Sequence, residues 1–174
     1  MSDASGIVKI AAALDRTPPT RWIAVLATAV VCVSCDGPTE SHFVSLGEGV
    51  VRDARTGLVW TSRDSGQVLN WSDADEHCRG LVPASNGARW RLPSTEELAS
   101  LYDTSMEQAC GEAAVCRIDP AIDLSVPYQW SATAPNSNRH TYFDFAFGTQ
   151  LSPWARPTLT RGTLCTSGEQ DDGP

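Results

Sequence analysis

After Lys9 the chain contains no lysine, so every later basic side chain is an arginine. Codon bias in a GC-rich genome is the expected reason, ahead of any functional one. Positive charge is scarce altogether: 13 basic residues stand against 21 acidic ones, a formal net charge of −8. Phosphate backbones are bound by clustered positive charge, so this balance argues against nucleic acid as a partner. It also argues against bulk attraction of polyanionic glycans, leaving that role only to a local arginine patch. Long apolar runs are lacking too. The one pronounced run, Trp22 to Val33, has 12 residues, short of the roughly 20 that span a bilayer. There is no nucleophile-elbow motif and no internal repeat. His42, His77 and His140 show no zinc-like spacing with the cysteines, and no CxxC pair occurs among Cys78, Cys110, Cys116 and Cys165, which leaves the metal reading without support.

What is present begins with an address. Arg16 and Arg21 precede the apolar run, and small residues follow it, which is the secretory signal pattern. The run ends in Cys32-Val33-Ser34-Cys35. A small residue directly before a cysteine at this point matches a lipoprotein signal, with cleavage leaving Cys35 as a lipidated first residue; Cys32 stands where such signals usually carry leucine. The alternatives are a plain secretory signal and an uncleaved anchor. Asp3, Asp15 and Pro18-Pro19 are foreign to a signal start and point to a start codon placed too early. The expected layout is therefore an export signal over 1–34, a lipidated cysteine, tether and first strand over 35–47, a domain over 48–166 and an acidic tail over 167–174. Removing Lys9, Arg16, Arg21, Asp3 and Asp15 with the signal leaves 10 basic and 19 acidic residues, so the acidity belongs to the domain.

Six cysteines occur, and four remain once Cys32 and Cys35 are assigned to the signal. In an oxidising compartment four cysteines imply two disulfides and three connectivities. A small Cys110–Cys116 loop is the simplest pairing and leaves Cys78 with Cys165. A closure of that length is worth about 4 to 5 kcal/mol at most in the chain-entropy view.

Along the domain, His42 to Leu46 reads as a first strand. Val50-Val51-Arg52-Asp53 and Leu58-Val59-Trp60 read as a hairpin turning at Gly57. A helix opens at Trp71-Ser72 with Ser72 as N-cap, buries Ala74, Cys78 and Leu81, and ends at Gly80. A second helix opens at Ser94 with Glu97 at its third position, a capping box, and buries Leu98, Leu101 and Tyr102. Gln129 to Thr133 is expected as a strand, as is His140 to Phe147 with Phe143, Phe145 and Phe147 on its core face. A last strand over Thr160 to Thr166 carries Cys165.

These segments form an ordered set: Val51-Arg52-Asp53 with Thr56-Gly57-Leu58-Val59-Trp60, then Trp71, Ala74, Cys78 and Leu81, then Trp90-Arg91-Leu92-Pro93-Ser94 with Glu97-Leu98, then Ile118-Asp119-Pro120 and Trp130-Ser131-Ala132-Thr133. Over about residues 48 to 166 the set resembles the Lcl C-terminal-domain family, which occurs in secreted and surface proteins of bacteria, among them a collagen-like adhesin. The resemblance implies an α+β fold, two helices packed on small twisted antiparallel sheets in a C-type-lectin-like arrangement. It further implies that Cys78 and Cys165 tie the first helix to the last strand. The family is similar in scaffold to sulfatase-modifying oxidases, but those use two active-site cysteines near the C-terminal end, where this chain has only Cys165.

Function is therefore expected to be binding or adhesion without catalysis, on an exported envelope lipoprotein. The alternatives are a structural lipoprotein without a small ligand and a degenerate sulfatase-modifying-type enzyme. No cofactor and no metal is expected. Ala134-Pro135-Asn136 is similar to the Glu-Pro-Asn sugar motif of calcium-dependent lectins, with alanine in place of the glutamate that would hold the ion. Asp119 and Asp123 are expected in turn roles. Trp60, Trp71, Trp90 and Trp130 are expected in the core, and Arg91 in an ion pair with Glu97 or Asp144. The binding candidates are Trp154 and Arg156 in one loop and Asn136, Asn138, Arg139 and His140 in another, because an exposed tryptophan beside arginine is typical of binding surfaces. The ligand expected there is a glycan or a surface protein, with membrane contact only through the anchor. The anchor has a direct test: cells fed a labelled fatty acid should label the wild-type protein and not the Cys35→Ala variant, and a variant that keeps its label removes the anchor.

Overall fold

The computed structural model describes residues 41–82, 89–111 and 114–168. The expected export signal, Cys35, most of the tether and tail residues 169–174 lie outside the described residues. Among the described residues ten short strands and two helices occur in the order β1 (Phe43–Gly47), β2 (Val50–Asp53), β3 (Val59–Thr61), α1 (Trp71–Gly80), β4 (Trp90–Arg91), α2 (Thr95–Ser100), β5 (Gln108–Ala109), β6 (Val115–Cys116), β7 (Tyr128–Trp130), β8 (Tyr142–Asp144), β9 (Thr149–Leu151) and β10 (Thr166–Ser167). The α+β class expected from the sequence holds.

The largest sheet has the order β1-β2-β3-β10-β4 with antiparallel pairing throughout. Successive residues of a strand face opposite sides, so the register sorts side chains into two faces. Val51, Trp60, Thr166 and Arg91 are aligned across the sheet, and Arg52, Val59, Ser167 and Trp90 form the next row. On the Trp60 side, Val51 and Trp60 pack with Leu98 and Leu101 of the α2 segment, Ile118, Phe143 and Phe145. On the Val59 side, Val59 and Trp90 pack with Ala74 and Cys78 of α1, Trp130 and Cys165. Both faces of the sheet centre are thus covered, each by one helix. The second sheet is the β5–β6 hairpin, and the third has the order β7-β8-β9.

Both disulfides have the wiring that the spacing favoured. Cys78–Cys165 joins α1 to the residue before β10 across 87 positions, and Cys110–Cys116 closes the β5–β6 hairpin. Thr61 N–H donates to the Cys165 carbonyl at 3.0 Å, so the bridge is anchored at the middle of the sheet.

Several boundaries differ from expectation, each for a local reason. The N-cap of α1 is Asn70, whose side chain accepts the Asp73 N–H; Ser72 lies inside the first turn. The strand expected over His140 to Phe147 stops at Asp144. There the Asp144 carboxylate accepts the Ala146 N–H, and Gly148, at φ 67°, accepts a turn that few other residues tolerate. Phe145 is buried as expected, but Phe147 falls in the turn and is 73% exposed. Ser167 was expected to begin the tail and is instead buried in β10, because Trp90 and Val59 flank it on both sides. The sheet also reaches back to β1, ahead of the expected domain start at residue 48.

The Trp90-Arg91-Leu92-Pro93-Ser94 segment turns β4 into α2. Ser94 Oγ accepts the Glu97 N–H, and the Glu97 carboxylate accepts the Ser94 N–H at 2.7 Å, completing the capping box. The same carboxylate takes two parallel bonds from Arg91, at 2.7 and 2.8 Å. Arg91's partner is thus Glu97. Burial alone would raise the Glu97 pKa; the Arg91 hydrogen bond, the Ser94 amide and the Arg91 charge together outweigh it and hold the pKa below its ordinary value. A carboxylate of this kind stabilises the fold above the usual carboxylate range, and the contribution is lost as pH falls through its lowered pKa. Arg91→Ala is expected to cost about 3 kcal/mol at neutral pH, since it strands a largely buried carboxylate. Glu97→Gln should flatten the acid limb of stability measured by urea unfolding between neutral pH and about pH 3.

Candidate functional site

The first turn of α1 is held by two capping bonds. Asn70 Oδ1 accepts the Asp73 N–H at 3.0 Å, and Asn70 Nδ2 donates to the Asp73 carboxylate at 2.7 Å. Two tryptophans then lock this turn against β7 reciprocally. The Trp71 indole N–H donates to the Ser131 carbonyl at 2.8 Å, and the Trp130 indole N–H donates to the Leu69 carbonyl at 2.7 Å. Trp130 is buried; Trp71, expected in the core, is half-buried and its ring forms a wall at the surface. His140 lies flat on that ring, with centroids 4.2 Å apart and planes 7° apart.

The two loops expected to carry binding residues are joined to each other. Arg139 N–H and Asn138 N–H both turn back onto Asn136, to its carbonyl and its side-chain oxygen, at 3.1 and 3.0 Å. Ala155 N–H donates to the Asn138 carbonyl at 2.7 Å, which pins the second loop beside the first. The Arg139 guanidinium donates to the Ser152 carbonyl and sits 4.8 Å over the Trp154 ring. Trp154 is 59% exposed, so one face of a fixed indole is open to solvent.

Between this ridge and α1 lies a cleft of about 440 Å³, lined by Asn70, Trp71, Asp73, His140, Arg156 and Pro157 among others. Of the six candidates, His140 and Arg156 line the cleft, Trp154 and Arg139 form the ridge next to it, and Asn136 and Asn138 shape the turn that presents them. Sequence reasoning missed Asn70, Trp71 and Asp73. Trp71 shares the helical face of Ala74 and Cys78 by spacing, which assigns it to the core. Its position at the very start of the helix, beside the cleft, leaves its ring partly exposed.

Charge is segregated in this part of the chain. Between Ser125 and Ser167 the only acidic residue is Asp144, which is buried, while Arg139, Arg156 and Arg161 fall in the same stretch. Among the described residues none of the three forms an ion pair. Arg161 lies instead over the rings of Tyr142 and Tyr128, at 4.4 and 5.2 Å. Asp73, across the cleft, is likewise in no ion pair among the described residues. His140 has its pKa lowered by burial, so the ring is neutral at pH 7, and its Nδ1 is buried without a partner among the described residues. Among the described residues no group of three or more His, Cys, Asp or Glu side chains is placed to hold a metal ion, and no helix is long and apolar enough to cross a membrane. Asp119 takes the turn role expected of it, its Oδ1 accepting the Ala121 N–H at 2.8 Å.

A comparison with protein families matches residues 49–158 to the family model described as the Lcl C-terminal domain. No curated protein and no solved structure matches the chain.

The stacked histidine has a measurable signature. Its proton resonances should titrate with a midpoint below the ordinary value of about 6.5. Above that pH the ring is neutral whether the chain is folded or not. As pH falls below it, the unfolded chain takes up a proton that the folded ring resists, so stability declines. His140→Phe, which keeps a ring on Trp71, should remove that part of the slope.

Proposed function

The chain belongs to the Lcl C-terminal domain family, and from that premise we propose that it is a non-catalytic binding or adhesion module of an exported bacterial envelope lipoprotein. The family and the two disulfides suggest an extracytoplasmic location. The observation that carries the binding reading is the cleft-and-ridge surface: an open indole braced by arginine, next to a concave site with an aromatic wall. Rigid aromatic anchors beside arginine are the side chains that most often dominate binding energy. A ligand-free structural role would leave those loops flat on the domain. The degenerate-enzyme reading needs two free thiols near the C-terminal end, and Cys165 is held in a disulfide with Cys78, which counts against it. The C-type-lectin-like arrangement is part of the same proposal; the tie between α1 and the residue before β10 supports it.

A screen of the chain from residue 36 onward against glycans and host-matrix proteins tests the reading. At least one binder should emerge, and Trp154→Ala should weaken it about tenfold or more, roughly 1.4 kcal/mol. Absence of a binder in every class, or binding indifferent to Trp154, removes the proposal.

A further inference from the structure

The cleft beside α1 has an unusual charge arrangement for its size. Its wall is aromatic, the face-to-face pair of Trp71 and His140, extended by Pro157. Its lining carries one carboxylate, Asp73, and one guanidinium, Arg156, and among the described residues neither is in an ion pair with the other or with a third group. One Asp73 oxygen is engaged by the Asn70 amide, and the carboxylate has a second oxygen to offer. A simple anion drawn by Arg156 would meet Asp73, and a simple cation drawn by Asp73 would meet Arg156. Opposite charges on the two partners of an interface must be matched one to one, or the misplaced charge is repelled. The ligand that satisfies both carries an ammonium and a carboxylate on a body that can lie on aromatic rings. The volume of about 440 Å³ falls within the usual range for small-molecule sites, about 300 to 1,000 Å³. Because His140 is neutral, it adds no third charge to the set.

We propose that this cleft binds an amino-acid-type zwitterion, a free amino acid or short peptide with an aromatic or apolar side chain, placing its carboxylate at Arg156, its ammonium at Asp73 and its side chain against the exposed surface of the Trp71–His140 stack. The proposal rests on the reading of the domain as a binding module and names the ligand class of its cleft.

L-phenylalanine is the probe, with N-acetyl-phenylalanine lacking the ammonium, phenylalaninamide lacking the carboxylate, and the dipeptide Ala-Phe separating peptide from free amino acid. Binding is read by NMR on the full chain, at the Trp71 indole N–H and the His140 ring. Phenylalanine or Ala-Phe should shift both signals, and each blocked derivative should bind about tenfold more weakly, the scale of one lost charge-assisted hydrogen bond. Arg156→Gln should weaken phenylalanine to the level of phenylalaninamide while leaving phenylalaninamide itself unchanged. Asp73→Asn, which keeps an oxygen for Asn70, should do the same with respect to N-acetyl-phenylalanine. Blocked derivatives that bind as tightly as phenylalanine, or probes that leave both signals unmoved up to their solubility limit, overturn the proposal. If the probes fail while a binder found in the screen still depends on Trp154, the zwitterion site falls and the binding module stands; if the probes bind and the screen finds nothing, the cleft stands as a small-molecule site and the adhesion reading centred on Trp154 falls.

Discussion

Gln129 to Thr133 carries no charge, and yet nearly every part of the fold is tied to it. The Gln129 amide reaches Asp64 and the Val126 carbonyl. Trp130 reaches Leu69 ahead of α1, and the Ser131 carbonyl receives Trp71 from the first turn of that helix. Ser131 Oγ meets Thr95 Oγ1 at the start of α2, Ala132 N–H donates to the Pro93 carbonyl, and Thr133 Oγ1 accepts the Thr95 N–H. Trp130 N–H donates to Gly162, and Ser131 N–H donates to Thr141. Burying polar groups costs free energy unless they find partners, and here, apart from the Gln129 side-chain oxygen, which has no partner among the described residues, the partners come from the starts of α1 and α2, the residue before β8 and the approach to β10. Satisfying one short stretch of backbone and side chain therefore sets the positions of both helices. Gly162 shows how tight the fit is: a Cβ there would run into the Gln129 amide.

The elements with strong local chemistry were legible in the sequence. The capping box at Ser94 and Glu97, the hairpin turning at Gly57 and the cysteine pairing all depend on residues close together in sequence or on very few alternatives. The elements that failed depend on distant partners. Phe147 continues the alternation of Phe143 and Phe145, and only the turn closed by Asp144 and Gly148 removes it from the strand. Ser167 looks like the beginning of an acidic tail until Trp90 and Val59 are placed on either side of it. Asn70 and Ser72 are both good caps, and which one serves is decided by the two tryptophans that fix where the helix begins.

The binding candidates divide along the same line. Composition alone, an exposed tryptophan near arginine and a polar loop, was enough to select the two loops. It did not show that Ala155 and Asn138 join them, nor that their neighbour is the first turn of α1. The cleft therefore joins His140 and Arg156, which composition selected, to Asn70, Trp71 and Asp73, which it did not, the spacing of Trp71 placing it on a buried helix face. The acidity of the whole chain also hides the local picture, because the acids are concentrated elsewhere and the arginines on this side have no ionic partners among the described residues.

The position of β10 has a consequence for how the chain reaches this state. Its two residues lie between β3 and β4, so an interior strand of the largest sheet is supplied by the far end of the domain. Contacts so distant in sequence are slow to form, because the intervening loop must close before they are rewarded. A partly synthesised chain has β3 and β4 but nothing to lie between them, and so no route to a finished core. The pairing of β3 and β4 through β10 therefore waits for Thr166 and Ser167, and the Cys78–Cys165 bond fastens the strand that comes latest in the described sheet.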